Sequence, residues 1–145
     1  MPVELRIEGD ALKALQRKLK AIDAKDLRRE LNKGLREGAK PLVQDAKDAA
    51  RDDLPKRGGL AERVASRPTT ISVTQGGIKI RVKGVDAKSA DKGVLRHPVY
   101  GNRNTWVLQR IPTGYFTNRM RREAPKVRPD LIRAMDRIAE KIANA

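Results

Sequence analysis

The chain has 145 residues, of which 39% are hydrophobic and 35% are charged, and its formal net charge is +15 at pH 7. This length suits a single domain, residues 1–145, with one modest core. The absence of cysteine excludes disulfides, thiol chemistry and cysteine-ligated metal sites. No apolar run approaches the roughly 20 residues of a membrane span, and the first residues lack the layout of a signal peptide, so we expect synthesis in the cytoplasm.

The basic excess is concentrated in the middle of the chain. Residues 56–128 contain 17 Lys and Arg but only 4 Asp and Glu, whereas residues 1–55 carry a net charge of +2 and residues 129–145 are neutral. A local field of this kind favours acidic partners, which are either nucleic acid or the acidic face of a protein.

The N-terminal part predicts one strand followed by a helical arm. Apolar and charged residues alternate over residues 3–8, which is the period of a strand. Leucines at helical spacing then predict helices across residues 10–53. Gly34 and Gly38 each cost a helix about 1 kcal/mol relative to Ala, so they mark either a close approach of another backbone or a weak stretch. Pro41 predicts a kink or a break after Gly38.

A basic connector, Lys56-Arg57-Gly58-Gly59, follows the helical arm. Its glycine pair is too short to indicate a phosphate-binding loop, so we interpret it as a flexible linker. One or two helical turns are predicted directly after it.

The next part, residues 69–116, predicts a small antiparallel sheet region. The clearest signal is a hairpin over residues 69–83, where Ile and Val alternate with polar residues on both sides of a Gln-Gly-Gly turn. Further strands are predicted near 94–100 and 105–111, and residues 84–93 are predicted to form a polar loop. The return strand of the hairpin carries Lys79, Arg81 and Lys83 on one face. This row either contacts phosphates or is a solvated face that discourages edge pairing, and we favour the solvated face.

An amphipathic helix is predicted over residues 117–143. Leu131, Met135 and Ile138 recur at helical spacing, whereas Pro125 and Pro129 predict interruptions. Together the elements predict an α+β fold, in which the small antiparallel sheet packs with long N-terminal helices and this C-terminal helix.

The segment from Leu95 to Phe116 holds every aromatic residue and the only His. Aromatic side chains bury more area than other side chains, so a chain with few of them should use them to anchor its fold or an interface. The predicted anchors are His97, Pro98, Tyr100, Trp106, Tyr115 and Phe116. Trp106 alternates with its neighbours and is predicted to lie in the core, so Trp106→Ala would cost roughly 3–5 kcal/mol. As an interface anchor, its loss would instead leave the fold intact and prevent assembly.

No residue pattern indicates an active site. His97 is the only side chain that titrates near neutral pH, and no Ser lies in a nucleophile motif. No spacing of His, Asp and Glu resembles a metal site, and nucleotide-binding motifs are absent. We therefore predict a protein that is not an enzyme and binds no metal, cofactor or small-molecule substrate.

Basic residues interleave with the aromatic segment and leave a second interpretation open. Aromatic and arginine side chains together form stacking platforms for single-stranded nucleic acid, although core packing with solvated arginine heads is the simpler interpretation. The candidate contacts to DNA or to an acidic partner are Lys79, Arg81, Lys83, Arg96, Arg103 and Arg110. No helix-turn-helix or RNA-recognition motif accompanies them.

Several short motifs in this region resemble a known family. They are Leu95-Arg96-His97-Pro98-Val99-Tyr100-Gly101, Trp106-Val107, Gln109, Pro112-Thr113-Gly114-Tyr115-Phe116-Thr117 and the upstream run from Leu35 to Val43. In these motifs the chain resembles the gene-ten-like neck and tail-completion family of long-tailed, HK97-like phages. Thr113 stands where that pattern is expected to have a second Pro.

The resemblance implies a structural virion protein at the head–tail junction, either in the neck or as a tail-terminator-like ring subunit. It implies a homo-oligomeric ring that contacts head-closure, tail-terminator and tail-tube proteins, lets genomic DNA pass and performs no catalysis. A ring needs head-to-tail contacts that close by rotation, which the hairpin edge, residues 84–93 and the helical arms are expected to supply. The alternative hypothesis from the residues alone is a small basic nucleic-acid-binding protein, and a nuclease that uses His97 is a distant third.

Overall fold

The computed structural model describes the backbone of residues 2–99 and 102–144, and the side chains of these residues except those of 97–99, 102, 103 and 105. It has the predicted α+β fold, with small antiparallel sheets and a long C-terminal helix. In chain order the elements are β1 (Val3–Glu8), α1 (Asp10–Ala21), α2 (Lys25–Ala39), α3 (Pro41–Asp53), a 3-10 turn (Arg57–Gly59), α4 (Leu60–Ala65), β2 (Thr69–Thr74), β3 (Gly77–Val82), α5 (Val85–Asp91), β4 (Val94–Val99), β5 (Asn102–Arg110) and α6 (Tyr115–Ala143).

The main sheet has the strand order β1-β3-β2, and both pairings are antiparallel. The predicted N-terminal strand and hairpin are therefore confirmed. Val3 pairs with Val82 and Ile71 pairs with Ile80, so the alternating apolar residues share one face. Ile80 on that face is fully buried. The sheet thus buries one side against the helices, as the period-two pattern requires.

The interpretation of the Lys79, Arg81 and Lys83 row as a guard against edge pairing is wrong, because β3 is the central strand of this sheet. Lys79 and Arg81 are only partly exposed, and both lie beside Glu4 of β1. The Glu4 Oε2 atom is 3.8 Å from Lys79 Nζ and 3.9 Å from Arg81 Nε. One carboxylate of β1 thus faces two of the three cations in the row, and Lys83 remains exposed.

Helix α2 packs closely against α6, and the two glycines of α2 lie at this contact. A Cβ atom added at Gly34 would come within 3.1 Å of Ala134 Cβ, and one added at Gly38 would come within 3.1 Å of Leu131 Cδ2. The interpretation of the pair as a place of close approach is therefore confirmed. Helix α2 ends at Ala39 and α3 begins at Pro41, which confirms the predicted break and uses the helix position where Pro is tolerated.

Helix α6 runs from Tyr115 to Ala143 and includes both Pro125 and Pro129. The predicted interruptions are wrong. Each proline removes one backbone hydrogen bond. Val127, which lies between the two prolines, and Leu131, which follows them, are nevertheless buried against the rest of the molecule. Packing therefore holds the helix together where its intrinsic propensity is low.

The predicted loop at residues 84–93 is also wrong, because it contains helix α5. Ala87 and Ala90 of this short helix are buried, and Asp86 and Asp91 bind it to other elements. The strands near 94–100 and 105–111 form a separate antiparallel ribbon of β4 and β5 rather than an extension of the main sheet. The Gly101-Asn102-Arg103-Asn104 segment also predicts a tight turn, but residues 102–104 belong to β5, and residue 101 lies outside the described residues.

The buried apolar residues of the described chain form one cluster that draws on β1, β3 and every α helix. Phe116, Leu19, Leu35 and Ile80 are among its fully buried members. Leu95 and Ile111, at the base of the ribbon, pack partly buried against this cluster. The core thus fixes the base of the ribbon and leaves the remainder of the ribbon at the surface.

Candidate functional site

The β4–β5 ribbon exposes a group of apolar side chains. Trp106 is 48% exposed, Val107 is 40% exposed and Leu108 is 68% exposed. The prediction that Trp106 lies in the core is therefore wrong, because β5 belongs to a separate two-stranded ribbon that leaves about half of the side chain exposed. Neighbouring strand residues lie on opposite faces, so Trp106 and Leu108 share one face and Val107 lies on the other. Exposed apolar groups that share a face are typical of surfaces that bind partners.

The base of the ribbon is held in a defined position by Gly93. This residue has φ +81°, a conformation that residues with a Cβ rarely adopt. Its carbonyl accepts a hydrogen bond from the Ile111 N–H at 2.9 Å, which closes the ribbon just before α6. A backbone hydrogen bond therefore ties the two ends of the ribbon together at its base.

Arg96 and Trp106 contact each other across the ribbon. The Arg96 Cζ atom lies 5.6 Å from the centroid of the Trp106 ring, within the range of a cation–π interaction. This contact joins a predicted basic contact residue to a predicted aromatic anchor, and it places a cation beside the exposed indole.

An open groove of about 810 Å³ lies between the ribbon and the segment that leads into α4. Its apolar lining consists of Pro55, Leu60, Leu95 and Trp106. Arginine side chains at its margin are Arg57, Arg63 and Arg96. The surface combines an aliphatic floor with a concentration of positive charge; we call it the arginine groove.

Helix α5, which connects the main sheet to the ribbon, is fixed at its start by Asp86. The Asp86 carboxylate accepts a hydrogen bond from Arg67 Nη2 at 2.9 Å and one from the Ala87 N–H at 2.9 Å. Arg63 Nε is 3.4 Å away. Burial raises the pKa of Asp86, but the hydrogen bonds and the charges of Arg67 and Arg63 outweigh burial, so this pKa lies below its ordinary value.

The end of α5 is fixed to α6 by Asp91. Its Oδ1 atom accepts hydrogen bonds from the backbone N–H groups of Phe116 and Thr117 at 2.9 Å, and its Oδ2 atom accepts one from Thr117 Oγ1 at 2.6 Å. Asp91 therefore caps α6 from another element, since Gly114 at the N-cap supplies no side chain. Burial, followed by the charges of Asp91 and Asp86, raises the pKa of the nearby Tyr115 hydroxyl.

The predicted anchors fall into separate places. Tyr115 and Phe116 lie in the core at the start of α6, where their rings meet edge to face with centroids 6.4 Å apart. Trp106 lies on the ribbon instead. Tyr100 and the side chains of His97 and Pro98 lie outside the described residues.

The predicted basic contacts also lie in separate parts of the molecule. Arg96 and Arg110 are exposed on the ribbon, and Arg96 borders the groove. Lys79 and Arg81 lie in β3 of the main sheet, and Lys83 directly follows this strand. The side chain of Arg103 lies outside the described part of the chain.

Sequence reasoning missed Arg57 and Arg63 as members of the same surface. Arg57 was assigned to a flexible linker, whereas it begins a 3-10 turn in which Gly58 and Gly59 have φ +80° and +79°. A glycine pair after adjacent basic residues was the available signal, because such a pair permits a sharp left-handed turn. Nothing in the sequence placed this turn opposite the ribbon.

Within the described residues, no group of three or more His, Cys, Asp or Glu side chains is arranged to hold a metal ion. None of the described helices has the length and hydropathy needed to cross a membrane. Comparison with known proteins found no matching family model, no similar curated protein and no similar solved structure.

Proposed function

We propose that this chain is a structural subunit of the head–tail junction of a long-tailed phage. In this role it assembles with further copies into a ring that joins head to tail and lets DNA pass, without catalysing a reaction. The proposal extends to its location in the virion and to its neighbours, which are other neck and tail proteins. The motifs between Leu95 and Thr117 suggested this role, and the exposed ribbon is the structural observation that supports it best.

The ribbon supports the proposal because the core does not need its apolar residues. Leu108 is 68% exposed although it lies in a regular strand that is paired with β4. Burial of Val107 and Leu108 between neighbouring copies would remove apolar area from water at roughly 25 cal/mol per Å². Such contacts repeat around a ring when the patch of one copy meets a different patch of the next.

The test is the oligomeric state of the purified protein together with a matched pair of variants. We expect light scattering to give the mass of a closed oligomer, and electron microscopy to show rings, alone or with the neighbouring virion proteins. Leu108→Glu should abolish the oligomer without altering the circular dichroism of the fold. Ile22→Glu is the control, because Ile22 is 54% exposed at the end of α1, outside the ribbon.

A strictly monomeric protein that is absent from virions would refute this function. Equal loss of assembly in Leu108→Glu and Ile22→Glu would refute the role of the ribbon in particular.

The charge distribution favours a second candidate, a small basic nucleic-acid-binding protein. Residues 56–128 carry 17 basic against 4 acidic side chains. If phosphate contacts account for this excess, affinity for DNA must fall steeply with salt concentration. Filter binding across a salt series tests the candidate, and weak binding that is insensitive to salt would eliminate it.

A further inference from the structure

The arginine groove has the size and the walls of a site for a polypeptide segment. Its volume of about 810 Å³ lies within the range of sites that bind small molecules and peptides. One wall comes from the turn before α4 and the other from the ribbon. Both walls are anchored, because Leu60 is buried in the core and Leu95 packs against it. The groove is therefore part of the folded molecule.

The charges at the margin of the groove call for an acidic partner. The described residues of its lining include Arg57, Arg63 and Arg96 and no acidic side chain. Arg63 is paired with Asp86, whereas Arg57 and Arg96 form no ion pair among the described residues. Carboxylates placed against these guanidinium groups would form charge-assisted hydrogen bonds.

The floor distinguishes a peptide from a nucleic acid. Pro55, Leu60 and Leu95 are aliphatic and suit the side chain of a Leu, Ile or Val. Single-stranded nucleic acid binds by stacking bases on aromatic rings. Among the described residues that line the groove, Trp106 alone offers an aromatic ring for stacking, and Arg96 already lies against that ring at 5.6 Å.

From these observations we infer that the arginine groove binds a short acidic segment of another polypeptide, which inserts one or two aliphatic side chains between Leu60 and Trp106. Carboxylates of that segment pair with Arg57 and Arg96. This site is a property of the single subunit and does not depend on the ring.

The only tryptophan of the chain reports on this site directly. The probe is a fluorescein-labelled synthetic peptide of Asp, Glu and Ser that carries two leucines. We expect saturable binding by fluorescence anisotropy, and an unlabelled copy should shift the emission of Trp106. A peptide with the leucines replaced by Ser should bind at least fivefold more weakly, and a peptide with Lys in place of the acidic residues should not bind.

Variants locate the binding. Arg57→Ala and Arg96→Ala should each weaken the acidic peptide at least fivefold, because each removes a charge-assisted contact. Arg121→Ala is the matched control, since Arg121 is an exposed arginine of α6 that does not line the groove, and it should leave affinity unchanged. Circular dichroism verifies the fold of each variant, and Arg57→Ala alone suffices if Arg96→Ala does not fold.

Three outcomes would overturn the inference. The first is the absence of binding, or equal loss in Arg121→Ala and Arg57→Ala. The second is displacement of the peptide by a thymidine oligonucleotide that itself shifts Trp106 emission, which would assign the groove to nucleic acid. The third is a dependence of Trp106 emission on protein concentration that Arg57→Ala removes, which would assign the groove to a second copy of this chain.

Discussion

Asp91 provides the sharpest test of how the C-terminal helix is held, because one carboxylate caps α6 from a different helix. Asp91→Ala removes hydrogen bonds from the Phe116 and Thr117 N–H groups and from the Thr117 hydroxyl. Loss of an N-cap costs roughly 0.5–2 kcal/mol, and loss of a negative charge at a helix N-terminus costs roughly 0.3–1 kcal/mol. We therefore expect Asp91→Ala to lower the free energy of unfolding by about 1–3 kcal/mol.

Urea denaturation at pH 7 followed by circular dichroism measures this loss. Asp136→Ala serves as the control, since Asp136 is exposed in the interior of α6, and it should change stability by about 0.5 kcal/mol or less. Thr117→Val removes the hydroxyl partner, so the double variant with Asp91→Ala should show a coupling energy of at least about 0.5 kcal/mol. Equal stability of the Asp91→Ala and Asp136→Ala variants would refute the capping role.

Three further predictions concern the core, a carboxylate and the helix contact. Phe116→Ala should lower the free energy of unfolding by roughly 3–5 kcal/mol in urea denaturation, because Phe116 is fully buried. Trp106→Ala should lower it by about 1 kcal/mol or less. Equal losses of stability would indicate that Trp106 is a core residue. Burial, followed by the charges of acidic neighbours, raises the pKa of Asp45, so ionisation of this carboxyl opposes folding. Asp45→Asn should therefore stabilise the protein at pH 7. This gain in stability should vanish once the pH falls well below 4, because Asp45 is then neutral in both the folded and the unfolded chain. An unchanged gain at low pH would contradict that cause. Gly34→Leu should lower the melting temperature because the new side chain collides with Ala134, and an unchanged temperature would contradict the close packing of α2 on α6.

Periodicity predicted the elements whose residues repeat over a long enough segment. Residues 3–8, the hairpin and the apolar stripe of α6 each follow one period, and each is present. Helix α5 has only seven residues and no apolar stripe. Asp86 and Asp91 hold it to Arg67, Phe116 and Thr117, which lie 19 to 26 residues away in the sequence, so no local pattern indicated this helix.

Tertiary packing overrode local propensity at two places. Pro125 and Pro129 normally end a helix, yet the buried face of α6 on α2 and α3 outweighs the lost hydrogen bonds. Trp106 alternates as a core residue does, but alternation does not determine which face of a ribbon is covered. The sequence predicted Arg96 and Trp106 as functional residues, whereas the groove also needs Arg57 and Arg63, which only the fold brings near them.

The two prolines of α6 have a consequence for how the molecule forms. Neither Pro125 nor Pro129 has an amide hydrogen, so the carbonyls of Arg121 and Pro125 lose their usual helical donors. A free peptide spanning residues 115–143 would therefore be largely unfolded in its central part. The continuous helix therefore depends on the surface that α2 and α3 supply, so α6 completes its backbone only as part of the folded domain.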